Sequence, residues 1–219
     1  MLSYAPNFED VMLARAFRDV GEGFWIDIGA GDPDLGSVTR AFSDRGWRGV
    51  NIEPRAELFA RLTQARPRDI NLNVDPASGP GQAALAKACR RHAPGAIHFL
   101  RLGLASCGPV PGPLRPWIIV AAAARGEAAP APGYRLAWFD GGSRFHIAEE
   151  RWSALHVHFQ APPNLFDGFI QYDPGDRSRV ELARLHPQCE QLRHTIAQRR
   201  AATAPASLLR RAMRSLLPS

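Results

Sequence analysis

The chain has 219 residues, 45% hydrophobic and 22% charged, which is enough for one domain with a sizeable core. No apolar run approaches the roughly 18–20 residues that cross a bilayer, and Met1-Leu2-Ser3-Tyr4-Ala5-Pro6 shows neither the basic nor the apolar region of a secretory leader, so none is expected. The net charge of +6 matches the six arginines that follow Glu190, where there is no acid, so the body is neutral and the basicity does not argue for specific nucleic-acid binding. Cys89, Cys107 and Cys189 are scattered and in no ligand spacing, which points to a reducing, cytoplasmic compartment without a disulfide framework.

In chain order, residues 8–20 read as a helix, with Phe8, Val11, Met12, Leu13, Ala16 and Phe17 on one face. Asn7 is its expected N-cap, and Glu9 and Asp10 suit its positive end. A strand at 24–29 is followed by a helix at 36–45, a strand at 48–53 and a helix at 55–65. Ile70, Leu72 and Val74 alternate with polar residues as a third strand, residues 81–92 form a helix, and 97–102 a fourth strand. The continuous apolar run at 117–121 suits a strand covered on both faces. Residues 136–139 and 144–148 read as a hairpin turning at Asp140-Gly141-Gly142-Ser143. The proline-rich 107–113 and the segment 122–132 are short for crossover helices. The alternation predicts an α/β fold, a doubly wound and mostly parallel sheet with a terminal antiparallel hairpin.

The first strand runs straight into Gly29-Ala30-Gly31, and the second ends in Glu53, 24 positions after Gly29. Small residues let the backbone approach a ligand, and a carboxylate at the next strand end accepts ribose hydroxyls. The turn lacks the third glycine of the dinucleotide fingerprint, which shifts the expected ligand from NAD to S-adenosylmethionine (SAM).

The segments Tyr4-Ala5-Pro6-Asn7-Phe8-Glu9-Asp10-Val11-Met12-Leu13, Trp25-Ile26-Asp27-Ile28-Gly29-Ala30-Gly31-Asp32-Pro33, Ser37-Val38-Thr39, Gly46-Trp47-Arg48-Gly49-Val50-Asn51-Ile52-Glu53-Pro54, Arg66-Pro67-Arg68-Asp69-Ile70-Asn71-Leu72-Asn73-Val74, Arg115-Pro116-Trp117 and Phe139-Asp140-Gly141 together resemble the FkbM family. These are class I (Rossmann-like) SAM-dependent methyltransferases that typically methylate hydroxyls of sugars, polysaccharides or polyketides. The resemblance is dense to residue 74 and patchy from there to about 170. It implies that Asp27, Gly29, Ala30 and Gly31 hold the methionine part of SAM, that Glu53 holds its ribose, and that Glu9, Asp10, Ser37 and Thr39 line or support the site. The acceptor it implies is a sugar hydroxyl in a polysaccharide or glycolipid.

The second half departs from the family pattern. Ala77-Ser78 stands in place of a Gly-Asp whose acid faces the adenine amine. Arg101-Leu102-Gly103-Leu104-Ala105-Ser106 replaces a Lys-Ile-Asp-x-Glu-Gly strand end, and Ala121, Ala122, Ala123 and Ala124 stand where a glutamate is usual. Hydroxyl methylation needs a base or a metal to take the proton. No residue of this sequence identifies itself as that base, and Arg101 keeps a charge but cannot act as one. Two readings stay open: a SAM-dependent O-methyltransferase, and a catalytically inactive relative acting as a binding or assembly subunit.

His156-Val157-His158 could offer two imidazoles on one strand face, but no third ligand sits nearby and no metal is expected. His98 and His146 read as packing residues in strands, and Asp140 as a turn former. The chain divides into a domain at 1–190 and a basic tail at 191–219 with interspersed leucines. That tail suits an anionic membrane surface, such as the inner face of the cell membrane, or an acidic protein; the plain alternative is a solvated C-terminus.

Overall fold

The structure is a computed structural model that describes residues 1–93, 95–103, 114–125 and 131–203. The expected linker at 107–113, residues 126–130 of the one at 122–132, Leu104-Ala105-Ser106 and the tail beyond 203 lie outside the described residues. The chain forms two compact units, one of residues 3–171 with Met1, the other of residues 172–219 with Leu2.

Seven strands build one sheet in the first unit: β1 Phe24–Ile28, β2 Arg48–Ile52, β3 Ile70–Leu72, β4 Phe99–Leu102, β5 Ile118–Ala122, β6 Tyr134–Phe139 and β7 Ser143–Ala148. Their order is β3-β2-β1-β4-β5-β7-β6. The first five are parallel, and β7 runs antiparallel between β5 and β6. This is the doubly wound, mostly parallel α/β sheet that the alternating pattern predicts, hairpin included, in the strand arrangement that the resemblance to class I methyltransferases implies. The helices are α1 Glu9–Ala16, α2 Arg40–Asp44, α3 Ala56–Ala65, α4 Gly79–His92 and α5 Trp152–Leu155. In the second unit α6, Arg177–Thr203, is one helix that runs across residue 190 and exposes Leu185, Leu192 and Ile196.

Successive side chains of a strand point to opposite faces, and β1 shows what this does. Phe24, Ile26 and Ile28 pack on one side with Val50, Ile52, Leu100, Leu102 and, from α4, Leu85, Ala88 and Cys89. Trp25 packs on the other side with Phe99, Ile118 and Val120 against Met12, Leu13, Phe17, Phe42 and Trp47. Each large apolar side chain buried this way stabilises the fold by about 1.5–3 kcal/mol. The Trp25 indole lies so close on β2 that a Cβ at Gly49 would collide with it. The chain leaves β1 in one direction toward β2 and β3 and resumes on its other side with β4. That reversal opens a crevice at the strand C-terminal ends, beside Gly29 and Glu53.

α1 and α2 are shorter than their patterns suggest, α4 begins two residues earlier than expected, and one cap differs. α1 starts at Glu9, and its N-cap is Phe8, at φ 60°, without a side-chain cap bond. Phe8 is the non-glycine residue with positive φ among the described residues, a conformation that costs such a residue free energy. Asn7 does not cap. Its backbone N–H donates to Glu9 Oε2 at 3.0 Å and its side chain reaches Asp140 Oδ1 at 3.4 Å. α2 begins only at Arg40, because Ser37 and Thr39 are committed to buried hydrogen bonds. At α4 the sequence is more regular than expected: Ser78 accepts the Gly81 N–H as N-cap.

Candidate functional site

β1 ends in a turn whose backbone demands glycine at Gly29 (φ 84°) and Gly31 (φ 73°). The N–H groups of Gly29 and Ala30 both donate to Ile52 O, at 2.9 and 3.0 Å, which ties the turn to the end of β2. Glu53 follows there, its own N–H bonded to Leu72 O. Asn73 closes the corner by donating to the Glu53 carbonyl at 2.8 Å. The Glu53 carboxylate then accepts the Gly31 N–H at 2.8 Å, so the acid and the turn share one strand edge. A Cβ on Gly31 would meet nothing nearer than 3.9 Å, so the backbone face of the turn is open.

The sequence did not announce the partner of Glu53. Arg55 donates to Oε1 through its backbone N–H (2.9 Å) and Nε (2.8 Å), and to Oε2 through Nη2 (3.2 Å). Burial alone would raise the Glu53 pKa, but the Arg55 side chain, the two backbone N–H groups and the Arg55 charge outweigh it and hold the carboxyl below its ordinary value.

Asp27 lies on the Trp25 side of β1 and is fully buried. Thr39 Oγ1 donates to one of its oxygens at 3.1 Å, and Arg101 Nη1 to the other at 3.1 Å. Arg101 also donates to the Gly29 carbonyl at 2.9 Å, so its guanidinium spans the ends of β4 and β1. From Thr39 the bonds continue inward. Arg66 Nη1 donates to Thr39 Oγ1 at 2.9 Å and to Ser37 Oγ at 3.4 Å, and Arg66 Nε pairs with Asp69 at 2.7 Å. Asp69 in turn accepts from Ser43 and Asn51, and Asn51 accepts the Trp25 indole N–H at 3.1 Å. Ser37 and Thr39 therefore support Asp27 from within and do not line the crevice. Arg66 and Asp69 belong to the same support, and their i,i+3 spacing is the signal by which the sequence could have revealed them.

Glu9 and Asp10 are also buried and structural. Asp10 accepts Ser3 Oγ at 2.6 Å and the Tyr4 N–H at 2.7 Å, and burial pushes its pKa up to about 6 in spite of these bonds. Glu9 accepts Ser143 Oγ at 2.9 Å as well as the Asn7 N–H. Asp140 Oδ1 accepts the N–H groups of Gly142 and Ser143, the expected turn role. Asn7 and Ser143 thus each bridge Glu9 and Asp140 and clasp the N-terminal segment to the hairpin tip. Gly142 leaves no room for a Cβ beside Asn7.

Across β4 and β5 the same edge continues as Gly103, Ala121, Ala122 and Ala123, with no carboxylate among the described residues there. Ser78, where the resembled family carries an acid, is spent on capping α4. His98 Nδ1 accepts the Phe24 N–H at 3.1 Å inside the core, and burial lowers its pKa. His146 is 1% exposed on β7 and also lowered by burial. His156 and His158 lie in a 3-10 turn, not on a strand, and His156 stacks on Trp152, so the paired-imidazole arrangement does not exist. The described residues contain no group of three metal-ligating side chains. A cavity of about 230 Å³, lined by Arg15, Arg18, Arg45 and Phe166 among others, shares no residue with the turn. No helix among the described residues is long and apolar enough to cross a membrane.

No family model matches the chain, and no curated protein matches it. Solved structures do. A TehB-like SAM-dependent methyltransferase from Corynebacterium glutamicum superposes on 64% of this chain and 85% of its own, at TM-score 0.38 and 15% identity. An RNA methyltransferase from Salinibacter ruber in complex with S-adenosyl-L-homocysteine (SAH) covers 63% and 90%, at TM-score 0.36 and 21% identity. A SAM-dependent methyltransferase from Geobacter sulfurreducens, also with SAH, covers 62% and 52%, at TM-score 0.35 and 15% identity. The superpositions are partial and the identities low, so the fold class rests on the strand order of the chain itself.

Proposed function

We propose that the chain binds SAM across the turn and Glu53 and, as its resemblance to the FkbM family implies, transfers the methyl group to a sugar hydroxyl of a polysaccharide or glycolipid. The observation that carries the ligand is the Gly31 N–H bonded to Glu53 at 2.8 Å. It puts a buried carboxylate, with two fixed backbone donors, beside an open glycine turn. A carboxylate so held accepts two hydroxyls in bidentate fashion, one per oxygen. The N–H groups of Gly29, Ala30 and Gly31 are already bonded to Ile52 and Glu53, so the turn offers its carbonyls and a close approach to the amino-acid part of the ligand. Asp27 acts beneath them by holding Arg101 against Gly29. When bound, SAM supplies an electrophilic methyl on a sulfonium. What the chain adds is orientation of the acceptor oxygen.

A second reading has its own support. The β4–β5 edge offers no base among the described residues, and removal of a general base typically costs about 10²–10⁴-fold. On this reading the chain binds the nucleoside without turning it over, and serves as a binding or assembly subunit. Its six arginines beyond Glu190 suit an anionic membrane surface or an acidic protein. Calorimetric titration with SAM and SAH, followed by a methyl-transfer assay on sugar acceptors, tests both. Binding with transfer supports the enzyme, and binding without transfer supports the subunit. No heat at millimolar SAM removes the ligand from either.

A further inference from the structure

Glu53 stands at an open strand edge, yet its side chain is fully buried, and what covers it is an arginine whose own side chain is 62% exposed. Each carboxylate oxygen takes one backbone donor and one guanidinium donor. Oε1 has the Arg55 N–H and Nε, while Oε2 has the Gly31 N–H and Nη2. The backbone pair is fixed by the chain path through the turn and into α3. The guanidinium pair hangs on a flexible stem. Two donors presented in parallel, one to each oxygen, are also what two vicinal hydroxyls present to a carboxylate. Nη2 stands 3.9 Å from where a Gly31 Cβ would be, so the guanidinium also reaches toward the turn.

We propose that the Arg55 guanidinium takes the place of a ribose 2′,3′-diol on Glu53, so that a nucleoside must displace it and Arg55 sets the affinity of the site. The proposal rests on the nucleoside reading above. Displacement is physically accessible, because the Arg55 side chain is already 62% exposed and is rehydrated when it swings away, and ion pairs with an exposed partner are weak. The hydroxyls then replace the two side-chain bonds, while the two backbone donors keep the carboxylate aimed.

The test is a calorimetric titration of SAH into the full chain, wild type against Arg55→Ala, and Glu53→Gln against the Glu53→Gln/Arg55→Ala double variant. Removing the competitor tightens SAH binding by about fivefold, the upper end of the range for exposed ion pairs. In the Glu53→Gln background the same change leaves the affinity within about twofold, because the coupling runs through that carboxylate. Wild type that binds SAH while Arg55→Ala binds it equally or more weakly overturns the proposal and leaves the nucleoside reading standing. No binding by either protein, with both folded by circular dichroism, removes the nucleoside reading and the proposal with it. Arg55→Met, which keeps the stem and loses the donors, repeats the comparison if the alanine variant does not fold.

Discussion

The crevice edge has two halves of opposite character. Along β1 and β2 it is polar and buried: Asp27 and Glu53 have defined donors, supplied by Thr39, Arg101 and Arg55, and behind it Arg66, Asp69, Ser43 and Asn51 continue the network inward. Along β4 and β5 its described residues are glycine and alanine, and Arg101, at its start, leans back to serve Asp27 and Gly29. A buried polar network stabilises only when complete, since each orphaned group costs its full desolvation. The first half, complete but for Arg66 Nη2, which has no hydrogen-bond partner among the described residues, therefore tolerates little change, whereas an open edge of small residues has no such constraint. The acid and the glycine turn on which the nucleoside proposal rests lie in the first half. What a class I fold uses to activate an acceptor is not found among the described residues.

The contrast can be broken at several points. The largest effect is expected at Arg66→Ala, which strands Asp69 in a pair whose side chains are both 1% exposed. Breaking one partner of a buried pair costs about 3–5 kcal/mol, which lowers the melting temperature by about 10 °C in a domain of this size. Calorimetric melting that shows a loss under about 1 kcal/mol would mean the network is dispensable. Next comes Glu53→Ala, expected to weaken SAM by about 2–3 kcal/mol, since charge-assisted hydrogen bonds are worth roughly 1.5–3 kcal/mol each and water recovers part of the loss. Unchanged SAM affinity in this variant would erase the special status of the first half.

A pH comparison sharpens the same contrast at Asp10. Burial holds its folded pKa at about 6, above an unfolded value of about 3.9. The folded chain thus binds this proton more tightly than the unfolded one. Ionised Asp10 costs stability above pH 6, and the cost disappears as pH falls toward 4. Asp10→Asn keeps an acceptor for the Tyr4 N–H and has no charge to lose. The stability of this variant relative to wild type should drop by about 2 kcal/mol between pH 7 and pH 4, read by urea unfolding at the two values. A difference independent of pH would show that Asp10 does not titrate in that window. The smallest effect is expected from truncation after Glu190, where the described side chains removed from α6 include the exposed Leu192 and Ile196. The melting temperature should move by no more than about 2–4 °C. If the arginines serve an anionic surface, the same truncation abolishes binding to anionic vesicles, and salt above about 0.15 M weakens it in the intact chain. A drop of about 10 °C would instead make the helix part of the core.

The fold was legible because it depends on period and punctuation. Trp25 and Ile26 alternate faces in a strand that meets glycine, and Ile118, Ile119 and Val120 run unbroken because helices cover both sides. Gly29 and Glu53 were legible for the same reason, since strand order alone brings them together. The partners were not. Nothing in the local pattern says that Arg55 turns back on Glu53 or that Arg66 reaches Thr39, because these bonds depend on side-chain direction in three dimensions. Asn7 shows the limit most clearly. It is a good cap by type, yet its side chain is drawn to the hairpin tip more than 130 residues away in sequence, and Phe8 is left in a left-handed conformation at the start of α1.

The central proposal is that a nucleoside binds across the glycine turn and the Glu53 carboxylate bonded to it. Amide chemical shifts of the isotope-labelled chain during titration with SAH test it most directly. The account predicts saturable shifts centred on Gly29, Ala30, Gly31, Glu53 and Arg55, absent in Glu53→Ala at the same SAH concentration. Shifts that leave those amides unmoved, or that gather at the cavity lined by Arg18 and Arg45, would contradict it.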